Sequence, residues 1–496
     1  MEKERIDLPL AGILIDRSGY DPLYCQLYKS LKNMILEGRL VPGQTLPATR
    51  LLASELGVSR NTVLLAYDYL LTEGYVQGKA GSGTYVSRSL PENALQAVPE
   101  AWESEPLQAT PACQLSCRGR SIAGIAINIE PHPRKIQPFQ NGLPDIREFP
   151  FNIWKRLVNR QWQKLANEYL GYSDPRGYWP LRQAISDYLR TARAVNCESK
   201  QVIIVSGTQQ ALDLAARLLL DPGDSVWMED PGYFGARAAF LAAEAKLIPV
   251  PTDEDGLDIE AAMSIKPCAR MAYVTPSFQF PIGATMSLAR RCQLLEWAKE
   301  SDAWILEDDY DSEYRYIGHP QASLQGLDNQ NRVIYLGTFS KVMFPGLRLG
   351  YLVVPLDLVD AFASARAIAG RNSPIIEQAA LAEFINEGHF ARHIRRMRVL
   401  YHKRQQMLIE AVAQNGLSNI LDLETPEAGM QLIAWLPQTM DDERISNLAK
   451  ESGLTTAPVS TYGMRYKKRP GLILGYTAFR KNEIEEGLER LKRILR

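Results

Sequence analysis

Val333-Ile334-Tyr335-Leu336-Gly337-Thr338-Phe339-Ser340-Lys341 runs on, after a short gap, into Pro345-Gly346-Leu347-Arg348-Leu349-Gly350-Tyr351. The first four residues are apolar and rich in β-branched and aromatic types, which predicts a buried strand. Hydroxyls at Thr338 and Ser340 then flank a lysine, and an arginine stands seven residues beyond it. A primary amine in that setting can form a Schiff base with an aldehyde, while hydroxyls and a guanidinium hold a phosphate on the same molecule. The aldehyde so described is pyridoxal 5'-phosphate, with Lys341 as its anchor. A lone Ser-Lys is more often a solvated loop lysine, so the rest of the chain decides between the two.

Around this stretch, from residue 139 to residue 496, strand-like and helix-like segments alternate, which predicts a mostly parallel α/β sheet. Val202-Ile203-Ile204-Val205 reads as a strand leading through Ser206-Gly207-Thr208-Gln209 into a helix faced by Ala211, Leu214, Ala215 and Leu218. Glycine between strand and helix exposes backbone N–H groups at a helix N-terminus, which suits a phosphate. Many strand-helix turns carry glycine, and the motif is weak alone. Ala303-Trp304-Ile305-Leu306-Glu307 predicts another strand, which delivers Asp308, Asp309 and Tyr310 to the carboxyl end of the sheet. Ligands of open α/β sheets gather at that end. A carboxylate there can pair with a protonated pyridine nitrogen and Tyr310 can hydrogen-bond a phenolic ring oxygen, although a plain loop cap would read the same way.

The first 88 residues have a different pattern. Leu27, Leu31, Met34 and Ile35 mark one face of a helix from Tyr24 to Leu36. A second helix follows from about Pro47 with Leu51, Leu52 and Leu56 inward, and Gly57-Val58 ends it. Ser59 reads as the N-cap of a third helix carrying Val63, Ala66, Tyr67 and Leu70. Helix, glycine turn, helix is the helix-turn-helix pattern, whose second helix enters the major groove. Arg60, Asn61 and Thr62 fall in its first turn. Tyr75-Val76-Gln77 and Thr84-Tyr85-Val86 then predict a hairpin around Gly78-Lys79-Ala80-Gly81-Ser82-Gly83, a wing able to lie along the DNA backbone. A three-helix packing module is the plainer alternative. Charge weighs little: ten Lys and Arg stand against nine Asp and Glu over these residues, and five against three from Arg39 onward.

Residues 89–138 carry Pro91, Pro99, Pro106, Pro111, Pro131, Pro133 and Pro138 with little periodicity, the composition of a partly extended linker. Within it, Ile122 to Ile129 is apolar enough to add a short strand or an anchor. At 496 residues the chain exceeds one average domain. Its 46 % apolar content supplies a large core, and no apolar run approaches the roughly 18 to 20 residues of a membrane span. The start has mixed charge and lacks the apolar core of a signal peptide. The six cysteines are scattered apart from Cys113 and Cys117, which with no second pair make a poor zinc signal. A reduced, cytoplasmic protein without bound metal is expected.

The wording of the sequence sharpens both halves. Pro22-Leu23-Tyr24-Cys25-Gln26-Leu27-Tyr28, Gly38 through Pro47, Leu56 through Val63, Glu73-Gly74-Tyr75 and Gly81-Ser82-Gly83-Thr84 resemble the GntR-type winged helix-turn-helix. The resemblance implies DNA contacts from Arg50 and Arg60, assisted by Ser59, Thr62 and the Gly81, Ser82 and Gly83 wing. Leu64 stands where other GntR branches often carry an arginine, so that contact is expected to be missing. From Phe139 to the end, the ordered set of phosphate turn, Tyr233 after Asp230-Pro231-Gly232, Asp308 and Lys341 resembles the fold-type I, aspartate-aminotransferase-like domain, a mostly parallel sheet with a smaller C-terminal α+β subdomain. This implies Asp308 at the pyridine nitrogen, Tyr310 at the ring oxygen and Tyr233 on the ring face. It implies phosphate contacts from Gly207, Thr208, Thr338, Ser340 and Arg348, and a homodimer in which Tyr172 reaches the partner's phosphate. A GntR head on such a domain is the layout of MocR-type regulators, and Glu307 through Tyr314 is close to that group's wording.

Two departures bear on chemistry. Transaminases of this fold usually grip the substrate carboxylate with an arginine in a strand near the C-terminus; here Leu472-Ile473-Leu474-Gly475-Tyr476 places Ile473 there, and Arg480 reads as a surface residue. Phe278 and Phe280 stand where relatives place histidine and asparagine, removing polar groups from around the cofactor. The resulting expectation is a regulator that binds a double-stranded DNA operator and senses the cofactor itself, or an amine or amino acid, in vitamin B6 or amine metabolism. The alternative is a working aminotransferase with a fused DNA-binding head. A domain that has lost the cofactor is disfavoured by Asp308, Lys341 and Arg348.

Overall fold

Leu27, Leu31, Met34 and Ile35 form the buried face of a helix, Leu23–Leu36, as their spacing requires. The next helix, Thr49–Leu56, stops at Gly57, whose φ of 62° is the left-handed conformation glycine adopts without steric cost. It buries Leu52 and Ala53, whereas Leu51 and Leu56 are only half-buried. Ser59 caps the third helix, Arg60–Thr72, by accepting the Thr62 amide at 3.1 Å, and Val63, Ala66, Tyr67 and Leu70 point inward. Three strands complete this unit: β1 (Thr45–Leu46), β2 (Val76–Lys79) and β3 (Gly83–Val86), antiparallel in the order β1-β3-β2. The hairpin of β2 and β3 is the expected one. β1 is an addition, two residues being too short to show alternation.

The structure, a computed structural model, describes residues 13, 15–17, 21–79, 83–89, 114–125, 136–164, 171–318, 321–466 and 468–496. They fall into two compact units divided between Cys113 and Gln114. Where the composition predicts extended linker, Cys117–Ala123 is a helix, capped by Ser116 and seated against the helix Phe234–Ala242 of the second unit. Ile122 is exposed on it, so the apolar run there does not act as an anchor through that residue; residues 126–129 lie outside the described set.

The second unit is built on eight strands: β4 (Val202–Val205), β5 (Ser225–Asp230), β6 (Lys246–Asp253), β7 (Gly256–Leu257), β8 (Met271–Val274), β9 (Trp304–Asp309), β10 (Val333–Thr338) and β11 (Gly350–Val353). Their order is β4-β11-β10-β9-β8-β5-β6-β7. The central pairs are parallel, while β11 runs antiparallel to both β10 and β4. Helices cover both faces, which is why β4 and β8 read as unbroken apolar runs. On one face Trp227 stacks on Trp297 with centroids 3.8 Å apart.

A smaller antiparallel sheet follows: β12 (Asp422–Leu423), β13 (Gln431–Trp435), β14 (Ala457–Pro458) and β15 (Gly471–Gly475), in the order β12-β13-β15-β14. Alternation sorts its side chains. Leu432, Ala434, Leu472 and Leu474 join a core with the helices His389–Gln414 and Lys481–Leu495, while Ile433, Trp435 and Ile473 face the other way. The chain enters this layer early: Phe139 bridges Gly475, and Asp145 takes Arg404 at 2.7 Å and Arg147 at 3.0 Å.

His393 is buried in the helix His389–Gln414, with its Nε2 3.0 Å from the Val342 carbonyl and Phe149 edge-on to its ring. Burial, then the nearby Arg396, press its pKa from the ordinary 6.5 to about 4. A histidine kept neutral in the folded chain stabilises fully above its unfolded value, and that contribution is lost as pH falls through the folded value. Between pH 6.5 and pH 4 the fold should therefore lose up to about 3 kcal/mol through this group. Urea unfolding across that range should show the loss, and His393→Gln should flatten it.

Candidate functional site

β10 ends at Thr338, and the chain passes Phe339, Ser340 and Lys341 before a tight turn at Pro345–Leu347 returns it to the sheet as β11. Arg348 sits between turn and strand with φ 51°. This excursion brings Thr338, Ser340, Lys341 and Arg348 to the carboxyl end of the parallel strands. Gly207 and Thr208 arrive there from β4, Tyr233 from β5, and Asp308 and Tyr310 from β9. All of them line one cavity of about 370 Å³. Tyr172 stands apart from it, 82 % exposed, with the Arg371 guanidinium 4.2 Å from its ring centre.

The Lys341 amine donates to the Gly142 carbonyl at 2.8 Å, and a Cβ at Gly142 would lie 2.6 Å from that nitrogen. Gly142, at φ 67°, is thus required both by its backbone and by the space the amine takes. Burial lowers the pKa of Lys341 against the opposing pull of Asp311 and Asp308, which favours the free, nucleophilic amine. Asp308 is buried, with Tyr273 donating to its Oδ2 at 2.8 Å and no partner for Oδ1 among the described residues. Burial pushes this carboxyl up to about 7; Tyr273 pulls it down, Asp309 pushes it up and Lys341 pulls it down again. A buried carboxyl oxygen without a donor is costly, and a protonated pyridine nitrogen would satisfy it with a charge-assisted bond.

The remaining groups fit the same molecule. Gly207, at φ 129°, opens the helix Thr208–Leu219, and a Cβ built on it would stand 3.8 Å from the Arg348 guanidinium. Helix N-terminus and cation converge, as a phosphate needs. The Tyr310 hydroxyl donates to the Phe278 carbonyl at 3.0 Å, and its oxygen retains acceptor capacity. Burial first, and Asp308 second, push Tyr233 up to about 12, so it stays a neutral phenol. An amine, a carboxyl, a phenol and a phosphate cradle together suit a phosphorylated pyridine aldehyde.

Gly142, Tyr273, Asp311, Gln431 and Tyr462 also line the cavity and were not legible as site residues. Only Asp311 had a local signal, its place in the acidic run after β9; both its oxygens lack partners among the described residues. Tyr462 is positioned from afar. Asp230, at the end of β5, accepts the amides of Met464, Arg465 and Tyr466 at 2.7, 2.7 and 2.9 Å, which ties that loop to the large sheet.

Of the departures, Ile473 is buried among Ile433, Trp435 and Val459 with Tyr462 against them, an apolar contact where a guanidinium was the alternative. Arg480 is exposed at the N-cap of the last helix. Phe280 lines the cavity and meets Tyr233 edge-on at 5.7 Å. Phe278 corrects the sequence reading: its ring packs on Gly283 and Gly429 and borders a second cavity, not the first. Close approach of two glycines draws the ring away.

In the first unit Ser59, Arg60 and Thr62 share one helical turn, with Ser59 Oγ 2.9 Å from Thr62 Oγ1. Arg60 and Arg50 are exposed, and Arg60 Nε lies 3.5 Å from Thr49 Oγ1 on the preceding helix. Leu64 is exposed one position along from Val63. Gly83 opens β3 at φ 103°, whereas Gly81 and Ser82 lie outside the described residues.

Residues 23–86 match the bacterial regulatory proteins of the gntR family, and residues 145–491 match aminotransferase class I and II. A Rhizobium meliloti protein named "Probable rhizopine catabolism regulatory protein MocR" is 42 % identical over 483 residues, 97 % of this chain and 95 % of that one. The "HTH-type pyridoxine biosynthesis transcriptional regulator PdxR" of Corynebacterium glutamicum is 30 % identical over 94 % of this chain and 95 % of its own. Among solved structures, the alpha-aminoadipate aminotransferase LysN of Thermus thermophilus, complexed with N-(5'-phosphopyridoxyl)-L-leucine, has a TM-score of 0.70 at 29 % identity, covering 76 % of this chain and 96 % of that one. With a helix-turn-helix unit ahead of an aminotransferase fold, and full-length regulators of the same layout as relatives, the chain belongs to the MocR-type branch of the gntR family of transcriptional regulators.

Proposed function

We propose that the second unit carries pyridoxal 5'-phosphate on Lys341 and makes operator binding by the first unit depend on a small molecule. The observation that carries this reading is the orphaned Oδ1 of Asp308, buried in the same cavity as the amine of Lys341. When bound, the cofactor supplies an aldehyde and an electron-withdrawing ring. Asp308 would hold the ring nitrogen, Tyr310 the ring oxygen and Tyr233 the ring face. Gly207, Thr208, Thr338, Ser340 and Arg348 would hold the phosphate. In a homodimer the exposed Tyr172 would reach the partner's phosphate. Residues 1–88 serve as the reader and 139–496 as the sensor, working in the cytoplasm.

The signal is the cofactor itself or an amine or amino acid. It acts by favouring one of two arrangements of the dimer that differ in how the reader heads are spaced. Efficient amino-group transfer is disfavoured because Ile473 offers an amino acid no charge-assisted contact, worth commonly about 1.5 to 3 kcal/mol. The second reading, an aminotransferase with a fused head, rests on the intact set Lys341, Asp308, Tyr310 and Arg348 around the cavity.

Lys341→Ala should abolish the near-visible absorption of the cofactor-loaded chain and any cofactor-dependent change in a footprint upstream of its own gene; unchanged regulation would sink the idea. Arg60→Ala should weaken operator binding about tenfold or more, as loss of a base contact does, with the cofactor spectrum intact, in fluorescence anisotropy on labelled operator. Incubated with amino acids and 2-oxoglutarate, the loaded chain should release no more than a single equivalent of keto acid. Many turnovers per subunit would favour the aminotransferase reading instead.

A further inference from the structure

Beside the cofactor cavity lies a second one of about 490 Å³, lined along one side by Gln431, Ile433 and Trp435 of β13. Gln431 lines both cavities, so they adjoin at its side chain. Gln431 is 3 % exposed and Trp435 is 7 % exposed. Neither Gln431 Nε2 nor Trp435 Nε1 has an acceptor among the described residues. Two buried N–H donors left unpaired on one face of one strand are uncommon, because each forgoes its hydrogen bond to water without replacement.

We infer that this second cavity receives the tail of the effector, and that the effector is an extended amine bearing an uncharged oxygen acceptor, a hydroxyl or an amide carbonyl. The inference rests on the cofactor reading of Lys341 given above, which places the amino end in the first cavity. Residues 431 and 435 are about 13 Å apart along a strand, so a ligand that passes Gln431 towards Trp435 is several bonds long. Between them Ile433, paired in register with Ile473, and Ile282 form an apolar surface suited to methylenes. Charge decides the type of acceptor. The carboxylates of Asp253, Glu254 and Glu424 border this cavity against the ammonium of Lys468, and Asp253 is ion-paired to Arg290 at 2.7 Å. A ligand carboxylate would meet like charge there, whereas a hydroxyl or amide would not.

The test titrates the full chain, loaded with pyridoxal 5'-phosphate, with methylamine, n-pentylamine, 5-amino-1-pentanol and 5-aminopentanoate, read by near-visible absorption. The alcohol should bind about tenfold tighter than n-pentylamine, the effect of roughly one good neutral hydrogen bond, and the carboxylate no tighter than n-pentylamine. Gln431→Leu and Trp435→Phe, compared as the ratio of alcohol to n-pentylamine affinity, should together bring that ratio within about twofold of unity, with one of the two accounting for most of the loss. Equal affinities in the unsubstituted chain, or a preference that survives both substitutions, overturn the inference. If methylamine leaves the absorption unaltered, the amine reading of Lys341 fails and the inference falls with it.

Discussion

Three consecutive carboxyl groups, Glu307, Asp308 and Asp309, are carried into the interior by β9, and the second unit is arranged around making that tolerable. Removing a carboxylate from water costs several kcal/mol unless donors replace the lost hydration. Glu307 accepts the backbone amides of Leu324 and Gln325 at 2.8 and 2.9 Å, so it caps a helix turn from within the core. Asp309 is held by the Arg193 guanidinium and the Ser312 hydroxyl, both at 2.8 Å. Arg193 in turn reaches Ser277. The two outer groups are thereby committed to structure. Asp308 and Asp309 each leave Oδ1 without a donor among the described residues, but of the three carboxyls only Asp308 lines the cavity, where a ligand can supply one.

Much of this was readable from local pattern, because local physics made it. A four-residue apolar run before Lys341, a glycine ahead of the helix Thr208–Leu219 and a serine cap at Ser59 each decide their own geometry within a few residues. What stayed hidden depends on distant chain. Tyr273 bonds Asp308 from the neighbouring strand, and Tyr462 is placed by Asp230 more than two hundred residues earlier. Phe278 sits in the sequence beside cofactor residues, yet contact with Gly429, just ahead of β13, turns its ring elsewhere. The helix Cys117–Ala123 escaped notice because proline content describes a segment's average and a serine cap acts at one residue.

The first unit shows the same economy. Ser59 satisfies a helix-end amide and orients Thr62, while the neighbouring Arg60 is left exposed. A single capping residue therefore sets the stance of the turn that would meet DNA. On the proposed reading the two units differ in kind: one presents exposed cations on a preformed turn, and the other hides its charges and waits for a ligand to complete them.

The hydrogen bond from Lys341 to Gly142 ties the amine to the segment by which the chain enters the small sheet. Engaging that nitrogen elsewhere leaves a half-buried carbonyl without its donor, and such a group must rotate or recruit water. The strip that carries it, 139–143, is pinned at Phe139 to β15. A change of bonding at that one nitrogen is therefore felt where the chain joins the small sheet.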